Sequence, residues 1–175
     1  MTTALEILYS EHQHILKVVD VLTRECDGLD SGKDVDIDFF KEVIEFVRNY
    51  ADKFHHAKEE DILFVEFNKD GVETHCNPVG QMLIEHDLGR NFIKELEIGV
   101  GEKNKEKIVE NARGYAQLLQ EHIFKEDSIL YPMADEALNE EVKKEILDRF
   151  LEVEKTNLED KEKFLEFVKD LKDRD

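Results

Sequence analysis

Phe54-His55-His56-Ala57-Lys58-Glu59-Glu60-Asp61-Ile62-Leu63-Phe64 has an echo further along the chain, His122-Ile123-Phe124-Lys125-Glu126-Asp127-Ser128-Ile129-Leu130-Tyr131. Both run His-x-x-Lys-acid-acid and leave on apolar residues. In each, a glutamate follows a histidine by four positions, Glu59 after His55 and Glu126 after His122. A helix turns once in about 3.6 residues, so each pair shares a face. The apolar residues around them mark that face as buried. The stripe is Ile44, Val47, Ala51, His55, Glu59, Ile62 in the first segment, and Ile108, Tyr115, Leu119, His122, Glu126, Ile129 in the second.

Two further segments carry one histidine each in phase with a stripe. The first, from about Thr3 to Cys26, presents Leu5, Leu8, His12, Ile15, Val19 and Leu22, and Asp27-Gly28-Leu29-Asp30-Ser31-Gly32 breaks it. The segment holding His55 starts near Asp36 or Asp38 and fades at Asn68-Lys69-Asp70-Gly71. Asn77-Pro78 suits an N-cap and first helical position for the next, which carries Val79, Met82, His86, Gly89, Ile93, Leu96 and Val100. The segment holding His122 runs from about Glu102 to Leu130, where Pro132 is expected to kink or end it. No alternating strand pattern competes. Short connections favour antiparallel neighbours. The expectation is an all-α fold, an antiparallel up-down-up-down four-helix bundle with an additional C-terminal helical segment. Residues 1–135 would form the metal-binding bundle. Residues 136–175 would form a helical extension in two pieces, Asn139 to Lys155 and Leu158 to Lys172, packing on the bundle or on a partner.

Composition narrows the function. The 175 residues carry a formal net charge of -19, which repels nucleic acid and anionic membranes, so neither is expected as a partner. No apolar run is long enough to span a bilayer. The N-terminus, Met1-Thr2-Thr3-Ala4-Leu5-Glu6, shows no signal-peptide core, so the cytoplasm is the expected compartment. Cys26 and Cys76 fit no zinc or redox spacing and read as reduced thiols.

One in-phase histidine reads most simply as a satisfied core residue. Four of them, His12, His55, His86 and His122, together with Glu59 and Glu126, are costly to bury unless they hold something. Imidazole and carboxylate donors without thiolate suit iron or manganese better than structural zinc. Four imidazoles, two bridging carboxylates and one oxide or hydroxide bridge do not fill two six-coordinate metals, which leaves room for a small ligand.

On these motifs the chain resembles the hemerythrin-like proteins, the HHE cation-binding domain family. The likeness covers roughly residues 3 to 135. It rests on Glu11-His12, on His55 to Glu59 with Lys58-Glu59-Glu60-x-x-Leu63-Phe64, on Glu85-His86 before Gly89-Arg90, and on His122 to Glu126 with Leu130-Tyr131-Pro132. The resemblance implies a four-helix bundle around a non-haem di-iron site, oxo- or hydroxo-bridged, with manganese or a mixed metal pair left open. It implies binding or sensing of dioxygen, nitric oxide or iron. The alternative is a di-iron enzyme acting on peroxide, nitric oxide or oxygen, of a detoxification or iron–sulfur repair type. Oxygen-carrying members have a second histidine one turn after the third-helix histidine, where this chain has Arg90. That weighs against simple oxygen carriage. The repair type carries an extra cysteine-bearing N-terminal segment that is not seen here, which lowers that reading. A homo-oligomer is left open.

The remaining polar residues read as follows. Glu60 and Asp127 are expected as solvated or supporting carboxylates rather than ligands. His56, about 100° round the helix from His55, is expected at the surface or in a supporting role. His14 cannot share the face of His12 and is expected exposed or at a helix contact. His75 favours a loop role, with a place as a fifth imidazole left open, and Cys76 beside it is expected inert. Arg90 and Tyr115 are read either as hydrogen-bond donors to a bound oxygen species or as a surface arginine and a core tyrosine. Gly89 would leave space for a ligand or permit close helix packing.

Overall fold

The structure, a computed structural model, describes residues 2–69 and 77–171. His75 and Cys76 lie outside them. The described residues are helical, with no strand. Helix α1 (Ala4–Asp30) opens on a capping box, in which Thr3 accepts from Glu6 N–H and Glu6 reaches back to Thr3 N–H. It runs a turn beyond the expected break because Leu29 is buried and holds the last turn against the core. Reversal falls at Gly32, whose φ of 101° suits a residue without Cβ.

Helix α2 (Ile37–Phe46) starts on Asp36, which caps Phe39 N–H, and does not stop at its α-helical end. The backbone stays in the right-handed helical region through a π-helical stretch at Val47–His56 and another at Glu59–Leu63, into α3 (Phe64–Phe67). Asn77 caps the start of α4 (Val79–Glu102) by accepting from Val79 N–H at 3.0 Å. A left-handed Lys103 ends α4, and Asn104 caps α5 (Lys105–Lys125). A third π stretch, Glu126–Leu130, joins α5 to α6 (Tyr131–Ala137). Pro132 therefore neither ends nor interrupts this rod. The Tyr131 N–H already reaches five residues back to the Glu126 carbonyl. The Asp127 carbonyl, which the missing Pro132 N–H would serve next, takes the Tyr9 hydroxyl at 3.3 Å instead. Helices α7 (Glu140–Thr156) and α8 (Leu158–Asp170) follow, α8 within its expected tail segment and α7 ending one residue beyond its own.

A π turn is one residue longer than an α turn, and it moves the buried stripe. Ile129, expected inside, is 46% exposed, while Leu130 and Tyr131 are fully buried. The other stripe positions are buried, apart from the half-buried Leu5.

The interior falls into two apolar clusters. One gathers Ile15, Phe54, Ile93 and Ile123 with Phe164, Val168 and Leu171 of the tail. The other gathers Leu8, Ile62, Met82 and Leu130 with Ile146 and Phe150. Both tail helices thus bury aromatic and aliphatic side chains against the rest of the chain. On every rod, buried histidine and glutamate lie where the two clusters meet, joined on the second rod by the buried Lys58.

Candidate metal centre

That intervening layer holds all six residues expected from the sequence. His12, His55, His86, His122, Glu59 and Glu126 are each buried. His12, His55, Glu59 and Glu126 offer ligand atoms within 4.8 Å of one another. So do His56, His86 and His122. His56 is therefore not at the surface. It stacks on His86 with ring centroids 3.8 Å apart. The wider winding of Val47–His56 brings two consecutive histidines inward, and π stretches of this kind are common at functional sites. The two carboxylates expected as ligands also sit on such stretches, since Glu59 and Glu126 each open one.

The carboxylates lie between the imidazoles. Glu126 places Oε1 3.1 Å from His122 Nε2 and 3.8 Å from His86 Nε2, and Oε2 3.3 Å from His12 Nε2. Glu59 places Oε2 3.5 Å from His86 Nε2 and 3.6 Å from His55 Nε2, and its Oε1 accepts from the Tyr131 hydroxyl. Both oxygens of Glu126 and Oε2 of Glu59 are buried without a hydrogen bond of proper geometry. Bare buried carboxylate oxygens are expensive unless a cation meets them. His86 Nε2 and His122 Nε2 face each other at 3.0 Å, a separation suited to two donors on one ion.

Each imidazole turns its other nitrogen outward onto a carboxylate. His12 Nδ1 meets Asp127 at 2.7 Å, His55 Nδ1 meets Glu11 at 2.8 Å, His86 Nδ1 meets Glu60 at 2.6 Å, and His122 Nδ1 meets Glu85 at 2.9 Å. His56 repeats the arrangement with Asp52, more loosely, at 3.4 Å. A carboxylate on Nδ1 fixes the tautomer and aims Nε2 inward, as metal-binding histidines require. Glu60 and Asp127 thus orient imidazoles, in keeping with their expected supporting role. The two Glu-His dipeptides have a reason too. Glu11-His12 sends His12 to the centre and Glu11 to His55, and Glu85-His86 does the same for His122. The lysines of the echo complete the design: Lys58 binds Glu11, and Lys125 binds Glu85. Each lysine holds the carboxylate that orients the histidine three residues before it.

Electrostatics fit a cation. Burial pushes Glu59 up to about 8, with the nearby Glu126 adding to the rise. Burial also opposes ionisation of Glu126, but the imidazoliums of His122, His12 and His86 outweigh it and hold that carboxyl well below its usual range. Burial would lower His12, His86 and His122, yet their carboxylate partners win. His12 and His86 are raised to about 9 and His122 to about 10. His55 and His56 stay low, the latter at about 4, because burial and neighbouring imidazoles act together. Without metal, protons supply the positive charge this layer needs.

The other expectations divide. His14 is a helix contact, its Nδ1 2.9 Å from the Tyr50 hydroxyl. Arg90 does not face the centre. It pairs with Asp52, Glu60 and Asp87 at the rim of a cavity of about 270 Å³ lined by His56, His86, His122, Gly89 and Tyr115. Tyr115 does line that cavity, and its buried hydroxyl has no hydrogen-bond partner. A Cβ on Gly89 would meet Tyr115 at 3.6 Å, an ordinary contact, so this glycine leaves open volume and is not forced by packing.

The model of the family described as hemerythrin HHE cation binding domain matches residues 3–134. No curated protein and no solved structure matches the chain.

Proposed function

We propose, since the chain belongs to the hemerythrin HHE cation-binding family, that it holds two iron ions in this layer and binds or senses a small ligand such as dioxygen or nitric oxide. The observation that carries the reading is the set of bare, buried Glu126 and Glu59 oxygens lying among inward-aimed imidazoles. His12 and His55 would hold one ion and His86 and His122 the other, with the carboxylates of Glu59 and Glu126 lying between the two groups. His56 joins the second pair as a fifth imidazole, standing in for the histidine that Arg90 replaces. The ion between His12 and His55 would then have fewer imidazole donors than the other. When bound, the metal pair supplies redox change and a site for a small ligand. The chain supplies orientation through the Nδ1 carboxylates and exclusion of bulk water through the two apolar clusters. The cavity beside His56 gives a diatomic molecule or peroxide a way in, and its volume disfavours large organic substrates.

An antiparallel up-down-up-down bundle is the arrangement we favour for the four ligand-bearing rods, with residues 1–135 as the metal-binding unit and 136–175 as its cover. The order of contacts supports it. Along the chain, α1 passes from the Leu8 cluster to the Ile15 cluster, the second rod from Phe54 to Ile62, α4 from Met82 to Ile93, and the last from Ile123 to Leu130. The direction alternates rod by rod. Among the described residues no helix is long and apolar enough to cross a membrane, which accords with the cytoplasm as its compartment.

Metal content after purification without oxygen, followed by spectra in air and then with nitric oxide, tests the proposal. Two iron ions per chain and charge-transfer bands that change with each gas are expected. One metal or none would defeat the binuclear reading. Sustained consumption of peroxide or nitric oxide above the rate of free iron would move the assignment to an enzyme.

A further inference from the structure

The two halves of the centre are built alike and then made unequal by a segment outside the family match. In the half around His122, Lys125 binds Glu85 and stays about one-third exposed. In the half around His55, Lys58 binds Glu11 and is completely buried, with its ammonium 3.7 Å from the centre of the Phe54 ring. It has a second carboxylate, which Lys125 lacks among the described residues. Glu154 of α7 reaches it at 2.8 Å, and the other Glu154 oxygen takes Lys161 of α8. The side chains thus form one chain of alternating charge, Lys161, Glu154, Lys58, Glu11, ending on His55 Nδ1 at 2.8 Å. Its outer links belong to residues beyond 134, where the family match stops.

The geometry points to the C-terminal helices as a tuning element for one ion of the pair: Glu154, through Lys58 and Glu11, sets how firmly His55 holds its metal. This rests on the di-iron reading above. A buried ammonium close to a metal site repels the cation and competes with His55 for Glu11. Glu154 balances that charge where water cannot. Supporting carboxylates of metal-binding histidines are worth about 10- to 100-fold in metal affinity. Glu154 acts one link further out, so a smaller effect is expected. Lys58 and Glu154 are positioning residues. Docking or displacement of α7 and α8 would therefore change the half around His55 and leave the half around His122 alone.

Glu154→Gln keeps the shape and removes the charge. Glu152→Gln removes an equal charge from an exposed position on the same helix and is the control. Each protein is loaded with ferrous iron, its iron content is measured, and iron loss to a chelator is timed. Without metal, the Nδ1-bound proton resonances of His55 and His122 are recorded. Glu154→Gln is expected to lose one of its two irons about threefold to tenfold faster than the control and to shift the His55 resonance but not that of His122. Lys161→Gln, which frees the Glu154 charge, is expected to slow that loss, and it carries the test if Glu154→Gln folds poorly. Equal release rates and an unmoved His55 resonance in fully loaded proteins would overturn the inference while leaving the di-iron reading intact. A wild-type chain that takes up no iron, with the His55 resonance unmoved, would sink both.

Discussion

Metal uptake by this chain should expel protons, and the number can be read from the layer itself. In the metal-free form His12 and His86 are raised to about 9, His122 to about 10 and Glu59 to about 8, so all four hold a proton at pH 7. His55 and His56 are held low and Glu126 is already ionised, so these three contribute none. Coordination requires neutral imidazoles and free carboxylates, which predicts release of about four protons from these side chains for two cations, with one more from water where a hydroxide bridges. The groups are close enough to titrate as one system, so the figure belongs to the layer as a whole. The product of the two apparent binding constants should then rise at least about 10⁴-fold per pH unit near neutrality. Calorimetric titration of the metal-free protein with ferrous iron, without oxygen, in buffers of different ionisation enthalpy gives the count directly. Release of less than one proton per pair of ions would refute the charge balance described here. Stability follows the same groups. Pulled above their unfolded values, the three histidines stabilise the metal-free fold fully below about pH 6.5, and this support is lost as the pH rises through 9 to 10. Glu59 adds support that is full below about pH 4.5 and lost through about 8. Loaded protein should show the reverse trend, because acid protonates the ligands and displaces the ions.

Other outcomes follow from single contacts. Glu126→Ala or Glu59→Ala should reduce iron from two per chain to about one or fewer, whereas His14→Ala should leave it unchanged; the opposite pattern in elemental analysis would mean the wrong helix face has been chosen. Tyr115→Phe removes a hydroxyl that has no protein partner, so it should alter unfolding free energy by less than about 0.5 kcal/mol. It should nonetheless speed dissociation of bound nitric oxide if the hydroxyl serves a ligand in the cavity. Phe150→Ala empties a fully buried ring position where α7 meets the Leu8 cluster, and should cost about 3–5 kcal/mol in urea unfolding; a loss under about 1 kcal/mol would mean that α7 is not docked as described.

The sequence displayed the candidate ligands more clearly than their surroundings. Regular spacing exposes His12, His55, His86 and His122 because a helix face repeats, and histidine in an apolar stripe is conspicuous. Glu59 and Glu126 follow by the same periodicity. His56 was hidden by that very reasoning, since an ideal α-helix turns consecutive residues about 100° apart and only the π winding brings both histidines inward. Ile129 failed for the same reason. Glu154 could not be found by periodicity, because its partner Lys58 is 96 residues away. The Lys three residues after the histidine in both echoes was a visible signal, though its meaning, a clamp on the carboxylate behind the histidine, needed the fold. Arg90 could have been placed at the rim from its neighbours, because Asp87 lies one turn earlier on the same helix and offers a local partner.

The overlong turn at Glu126–Leu130 makes residue count a functional quantity in its own right. Removing Ser128 would shorten the step from Glu126 to Tyr131 from five residues to four, which an ordinary α turn spans, so the rod could relax to ordinary pitch and keep Tyr131 beside Glu59. An added residue in the same turn would instead rotate Tyr131 about 100° away from Glu59 and should be as damaging as loss of a ligand, while many substitutions at Ser128 itself should pass unnoticed.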